Sequence, residues 1–380
     1  MKRYFLFILS CLLYANAQAY NTENLQVSLL TVMPRANEVY TVYGHTALRF
    51  FDPVQQIDVV FNWGTFDFEA PHFLYRFVRG ETDYFLSTSD YARFLFAYQM
   101  GNSTVVEQLL DLSTEGKEAL IEKLSINLLP ENRVYRYNFL FDNCTTRVRD
   151  LIEQSSPELE YPAQEEKTTF RKLIHSCTQP YPWMTFGIDL LVGAGADSLI
   201  SVRQELFLPV NLEKILDATP LVVSSEQVLT AVPEPDVQLK FWESPLIVGY
   251  IILLIYIIIA IASRLKRRPF KGWFAPLFFI AGATGCLAAF MAAFSCHPCM
   301  WPNWNLLWLH PLHLIGFAGC FLKTPRRWIR WYHAANCVVL LGVLAGWYWI
   351  PQGLNPANIP FVIGLGVGSL SYLGYNKLKM

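Results

Sequence analysis

Phe139-Leu140-Phe141-Asp142-Asn143-Cys144-Thr145-Thr146-Arg147-Val148 is the stretch on which the reading of this chain turns. An aromatic, extended run from Arg133 to Phe141 leads into Asp142-Asn143, and beyond it Val148, Leu151 and Ile152 recur at helical spacing. Asp142 or Asn143 can cap the helix that begins there, which puts Cys144 at its N-terminus. At that position the positive end of the helix dipole lowers the thiol pKa and favours the nucleophilic thiolate. The first-turn N–H groups are placed to stabilise an oxyanion on the group attacked.

A nucleophile needs a base, and the candidate lies upstream. Residues 26–33 read as a first strand. Residues 46–51 and 57–63, rich in aromatic and β-branched side chains, flank the turn Asp52-Pro53-Val54-Gln55-Gln56, a hairpin signature. Folding the chain about residue 54 sets His45 opposite Asn62 or Trp63, with strand neighbours about 5 Å apart. The Asn62 amide can then hold a ring nitrogen of His45. Asp58 is on the same strand face, and a shifted register brings it closer, so the orienting role stays open between Asn62 and Asp58. Nucleophile, base and orienting group together form a papain-type arrangement. The competing reading is a structural Cys144 with an unrelated His45. Helices are expected at about 90–99 and 115–127, where apolar residues recur at helical spacing.

The chain has 380 residues and a net charge of −1, which argues for two domains and against a nucleic-acid partner. Its apolar character is concentrated in the C-terminal third. Five segments, about 245–263, 273–294, 306–322, 331–350 and 359–376, are apolar enough to span a bilayer. Arg264, Lys266, Arg267, Arg268 and Lys271 follow the first. Lys323, Arg326, Arg327 and Arg330 follow the third, and Lys377 and Lys379 follow the fifth. The opposite loops, about 295–305 and 351–358, contain no Lys or Arg, so the positive-inside rule puts the C-terminus in the cytoplasm and the preceding domain outside. The N-terminus agrees. Met1-Lys2-Arg3, an apolar run from Tyr4 to Leu13 and Ala17-Gln18-Ala19 read as a signal peptide cleaved after Ala19; the alternative is an uncleaved N-terminal anchor, for which the run is shorter than the ~20 residues a span needs. The expected domains are residues 1–19 as signal, 20–240 as exported domain and 241–380 as membrane domain.

In an oxidising compartment a Cys144–Cys177 disulfide is the alternative to a reactive Cys144. The loop Ser295-Cys296-His297-Pro298-Cys299-Met300-Trp301-Pro302-Asn303-Trp304-Asn305 carries two cysteines and one histidine, an incomplete metal set that a disulfide explains more simply. Its tryptophans suit an interfacial belt. His310 and His313 are three apart on one face of the third expected span, where they mark either a site or hydrogen-bonded packing. No metal or cofactor is expected.

Tyr43-Gly44-His45-Thr46-Ala47-Leu48-Arg49, followed by Phe139-x-x-Asp142-Asn143-Cys144-Thr145-Thr146-Arg147, resembles the permuted branch of the papain-like NlpC/P60 superfamily, in which the His strand precedes the Cys helix. More closely, the chain resembles the Lnb-type bacterial lipoprotein N-acyltransferases. The matching segments also include Thr169-Phe170-Arg171-Lys172-Leu173-Ile174, Trp183-Met184-Thr185-Phe186-Gly187-Ile188-Asp189, and Ser295-x-His297-Pro298 with Asn303-x-Asn305. The Cys296–Cys299 pair departs from the pattern.

The resemblance implies an α+β, permuted papain-like periplasmic domain followed by an all-α bundle of about five transmembrane helices in the inner membrane. It implies that Cys144 takes an acyl chain from a membrane phospholipid as a thioester, with His45 as base and Asn62 orienting it. The α-amine of a diacylated lipoprotein then accepts the chain. Asn143, His297, Asn303 and Asn305 would line the substrate groove. Two other functions fit the same residues in part: an NlpC/P60-type peptidoglycan endopeptidase or amidase, and a non-enzymatic membrane-anchored binding module.

Overall fold

The computed structural model describes residues 21–35, 41–164, 166–232, 240–267, 270–322 and 326–375. The expected signal peptide and the basic residues Arg268, Lys323, Lys377 and Lys379 lie outside the described residues. The chain forms two compact units. One is built from the chain up to Lys167 and from Ile200 to Glu234, the other from Thr168–Leu199 and Pro235 onward.

The first unit is a seven-stranded antiparallel sheet with helices on both faces. Its strands are β1 (Gln26–Val32), β2 (His45–Asp52), β3 (Ile57–Thr65), β4 (Asp83–Asp90), β5 (Val105–Leu110), β6 (Val134–Arg136) and β7 (Val222–Leu229). They lie in the order β6-β4-β3-β2-β1-β5-β7. The β2–β3 turn closes because the Asp52 carboxylate accepts the N–H groups of Val54 and Gln55, each at 2.8 Å. This fixes a register that pairs Ala47 with Asn62 and Phe51 with Asp58.

Helix α1 (Phe73–Arg79) follows β3, α2 (Tyr91–Met100) follows β4, α3 (Thr114–Leu128) follows β5, and α4 (Cys144–Ser155) follows β6. The two faces of the sheet have separate cores, as period-2 alternation requires. Leu48, Phe50, Phe61 and Trp63 pack with Val148, Leu151 and Ile152 of α4. Each such side chain contributes roughly 1.5–3 kcal/mol on burial. Ala47 and Val60 face the other way, against Phe94 of α2. After α4 the chain enters the second unit for α5 (Phe170–Thr178) and α6 (Pro182–Leu191). It returns for α7 (Pro209–Asp217), whose Leu212 and Leu216 join the α4 core.

The second unit is helical. It contains α8 (Pro245–Leu265), α9 (Ala275–Phe294), α10 (His313–Phe321), α11 (Arg327–Ala345) and α12 (Asn358–Tyr375). Among the described residues, α8, α11 and the segment Lys271–Phe294 containing α9 are long and apolar enough to cross a membrane; α12 is a shorter apolar helix. The third expected span, 306–322, is not one helix. Trp304–Leu307 is a 3-10 turn, Pro311 lacks the N–H a continuing helix needs, and α10 has only nine residues. At 1.5 Å per residue it covers roughly 14 Å, about half a hydrocarbon core. His310 therefore lies before the helix, although its ring still stacks on His313 at 4.0 Å. His313 accepts from the Tyr332 hydroxyl at Nδ1 and donates from Nε2 to the Trp308 carbonyl, both at 2.7 Å, so its two nitrogens are spent on packing. At Gly285 of α9 an added Cβ would lie 2.6 Å from the His310 backbone, so only glycine admits this crossing.

The 168–199 segment is fastened into this unit by a buried charge network. Arg171 donates to Asp189 at 2.7 Å, to Asp197 at 2.8 Å and to the carbonyls of Val192 and Gly193. Asp189, itself buried, also bonds His175 at 2.8 Å and accepts from Asn355 at 2.9 Å. With Arg171 and Asp189 both desolvated, these added hydrogen bonds offset the cost of burying the two charges.

Candidate active site

Cys144 stands at the first position of α4, and the local sequence explains why the helix starts there. Asn143 adopts an extended conformation, and its Oδ1 accepts the N–H groups of Thr145 at 2.8 Å and Thr146 at 2.9 Å. The Thr146 hydroxyl returns the bond by accepting the Asn143 N–H at 2.7 Å, completing a capping box. The Asn143 amide nitrogen donates to the carbonyls of Phe139 and Phe207. Asn143 is thus buried and fully engaged in placing Cys144, rather than exposed in a groove. Asp142, the other candidate cap, pairs instead with Arg147 at 2.6 Å. Of the first-turn amides expected to serve an oxyanion, those of Thr145 and Thr146 belong to the cap; the cap does not use the Cys144 N–H.

His45 opens β2, the central strand, at the end that meets the start of α4. The buried hydroxyls of Thr46 and Thr145 bond at 3.1 Å and tie strand to helix. Asn62 lies diagonally across the β2–β3 pair, opposite Ala47, and its Oδ1 is 3.3 Å from Nε2 of His45. With Nε2–H donated to Asn62, Nδ1 is the nitrogen left with a lone pair. Asp58 is held elsewhere: Arg49 grips both its oxygens, at 2.8 and 2.9 Å, and also reaches Glu107. The register therefore gives the orienting position to Asn62.

Gly64 completes the site. A bulge between Asn62 and Thr65 turns it to φ +97°, and a Cβ there would sit 3.6 Å from the Cys144 Cβ and 3.9 Å from the His45 Cε1. Glycine therefore keeps any side chain from lying against both groups. The alternation of residues gave no sign of this, because a bulge is set by tertiary pairing.

The electrostatics of Cys144 and His45 are coupled. Burial by itself pushes the Cys144 thiol up, but the charge and hydrogen bond of His45, the Thr46 N–H and the Thr145 hydroxyl outweigh it, and the thiol is held below its ordinary value. Burial likewise pushes His45 down, yet the Cys144 charge and the hydrogen bonds to Cys144 and Asn62 win and hold the imidazole above its ordinary value. Each charge stabilises the other. Burial, and then the negative charge of Cys144, pushes the Tyr84 phenol to about 12 and raises Tyr98, Tyr135 and Tyr137 as well, so the surrounding wall stays neutral. The Tyr98 ring stacks on His45 at 6.3 Å.

Cys144 and Cys177 are both free thiols, so the site is not closed by a disulfide. Burial raises Cys177. Cys296 and Cys299 are also free, and among the described residues no group of three or more His, Cys, Asp or Glu is placed to hold a metal.

The loop residues belong to the second unit. Asn303 is buried, donates to the carbonyls of Leu190 at 2.9 Å and Leu191 at 3.0 Å, and accepts the Asn305 N–H. Asn305 is buried, donates to the Asp189 carbonyl at 2.7 Å, and accepts from the Trp308 indole and the Asn358 amide. These two side chains fasten the loop to α6. His297 is half-buried, and its N–H donates to the Ser295 hydroxyl at 3.2 Å.

A capped helix bearing Cys144 against an antiparallel sheet bearing His45 defines a papain-like cysteine domain, here in permuted order and followed by a helical membrane domain. Residues 14–176 match the Lnb N-terminal periplasmic domain, and residues 237–379 match the Lnb transmembrane domain. The two matches cover most of the chain and keep the same order. The chain belongs to the Lnb family, whose domains place it in the inner membrane with a periplasmic domain. No curated protein and no solved structure matches it.

Proposed function

We propose that the protein is a lipoprotein N-acyltransferase that works through a thioester on Cys144. Membership of the Lnb family supports the reaction class, and the Cys144–His45–Asn62 constellation beside Gly64 carries the mechanism. The Cys144 thiolate attacks an ester carbonyl of a membrane phospholipid. Negative charge develops on the carbonyl oxygen, for which the Cys144 N–H is the first-turn donor outside the cap. Collapse breaks the C–O bond, His45 gives its proton to the departing oxygen, and lysophospholipid leaves.

The acyl group then rests on Cys144 while His45 is neutral. The free α-amine of a diacylated lipoprotein attacks the thioester, His45 takes the amine proton, and the thiolate is restored as the amide forms. Splitting the transfer in two predicts ping-pong kinetics. Asn62 fixes the tautomer and angle of His45 in both halves.

The test is mass spectrometry of Cys144 after incubation with phospholipid. An acyl adduct released by hydroxylamine and lost in His45→Ala supports the mechanism. Transfer to a lipoprotein N-terminal peptide supports the acceptor. Peptidoglycan cleavage with an unacylated Cys144 would support the hydrolase reading instead.

A further inference from the structure

The segment between β3 and β4 presents an exposed aromatic surface. Helix α1 has no buried residue: Leu74 is 74% exposed, Tyr75 56% and Phe77 47%, and Phe68 just before it is 63% exposed. A helix normally folds because one face is buried; α1 keeps much of Leu74, Tyr75 and Phe77 exposed.

These rings are not isolated. Phe77 stacks on Phe73 at 6.2 Å, Phe73 on Phe66 at 5.9 Å, Phe66 packs on Tyr84 at 4.8 Å, and Tyr84 stacks on Tyr137 at 4.2 Å. Tyr84 and Tyr137 both feel the charge of Cys144. An aromatic ladder thus runs from the exposed helix to Tyr137, which packs against the same core as Cys144.

We propose that α1 and Phe68 insert shallowly into the outer leaflet of the bilayer that holds the transmembrane domain. Three features favour a lipid surface as the occupant. The same chain is anchored in a membrane. The basic groups of α1 are neutralised within the fold, Arg76 by Asp83 and Arg79 by Glu81, so the patch offers rings and a Leu rather than net charge. Phe, Tyr and Leu over paired arginines suit the headgroup–acyl boundary, where amphipathic side chains keep polar tips in water. Asp67 and Glu69, exposed on either side of Phe68, limit the depth. The ladder would then lead from the leaflet to the core that Cys144 packs against. This inference rests on the membrane anchor and stands whether or not Cys144 carries an acyl group.

The full-length protein in nanodiscs of dialkyl-ether phosphatidylcholine tests it. These lipids have no ester for Cys144 to attack, and a small fraction carries a diazirine near the top of the alkyl chain. After illumination, peptides covering residues 66–79 are expected to carry label on the order of ten-fold above α3, whose exposed Glu115, Glu118 and Glu122 keep it out of hydrocarbon. Because the arginines are already paired, raising the salt should leave that label unchanged. Label on transmembrane peptides with residues 66–79 at the α3 level would overturn the proposal and leave a protein partner to cover the patch. Label confined to Tyr137–Phe141 would also overturn it, since lipid would then reach the nucleophile without α1. The double variant Leu74→Ser, Phe77→Ser should lose most of the label on α1 while its transmembrane peptides keep theirs.

Discussion

Asn62 Oδ1 meets His45 Nε2 at 3.3 Å from one place diagonal to it on the neighbouring strand, while Asp58, two side chains along the same face, is locked to Arg49. Neutral Asn62 and not a carboxylate therefore orients the imidazole. Asn62→Ala should lower kcat by about ten-fold, the scale of one hydrogen bond of 1–1.5 kcal/mol. Asp58→Asn should leave kcat near wild type. A steady-state comparison of the two variants decides between these carboxamide and carboxylate roles; a larger loss in Asp58→Asn would reverse the assignment.

The depressed Cys144 and raised His45 predict a bell-shaped pH profile for acylation. Falling pH protonates the thiolate, so activity is lost on the acid side below the lowered thiol value. Rising pH removes the imidazolium proton needed by the leaving group, so activity is lost on the alkaline side above the raised imidazole value. His45→Ala should return the thiol toward its ordinary range. Iodoacetamide labelling of Cys144, followed by peptide mass spectrometry near pH 7, should slow markedly in that variant, and the acyl-transfer rate should fall by about 10²–10⁴.

Gly64 combines φ +97° with a close approach to Cys144 and His45. Gly64→Ala should cost about 1–2 kcal/mol through backbone strain in the left-handed region. It should also lower the acylation rate more than Cys144 alkylation by a small reagent, because the added methyl crowds a lipid ester first. Thermal melts and the two rates measured together test both parts.

Asn143→Ala removes a cap worth about 0.5–2 kcal/mol and leaves the Phe139 and Phe207 carbonyls without its donor. The expected result is a lower melting temperature together with a less reactive Cys144. Asn143→Asp keeps the acceptor for Thr145 and Thr146 but loses the donor, so it should recover part of both. A variant that kept wild-type stability and lost only lipid affinity would instead restore a substrate-binding role.

Arg171→Ala would leave Asp189 and Asp197 facing each other without their shared cation. A broken buried pair of this kind costs about 3–5 kcal/mol. In detergent, the loss should show first as protease cutting between α5 and α6, with the α4 region resistant. Equal cutting in both regions would mean that the network also supports the first unit.

The reactive cysteine, its helix and the hairpin were legible because each is local. A cap followed by apolar residues at helical spacing, and a turn between two aromatic runs, are decided by neighbours a few residues away. The apolar C-terminal third was legible for the same reason, except at 306–322, where mean hydropathy hid Pro311 and the Asn303–Asn305 turn. Which of Asn62 and Asp58 meets His45 was not local. A shift in strand register decided it, and the competing ion pair to Arg49 needed Glu107 from a strand far along the chain. The roles of Asn143, Asn303 and Asn305 were hidden too, since amides that bind substrate and amides that cap a helix or fasten a loop look alike in a sequence.

The sequence by itself determined the two-part plan, the sheet-rich domain before a membrane domain, and the places of Cys144 at a helix start and His45 beside a hairpin, because hydrophobic runs and helix starts are written in contiguous residues. Only the tertiary structure decided that Gly64 lies against Cys144 and His45, that Asn62 rather than Asp58 meets His45, that residues 168–199 fold with the membrane unit, and that Leu74, Tyr75 and Phe77 stay exposed. Those depend on which surfaces of distant segments meet, and no stretch of chain carries that information alone.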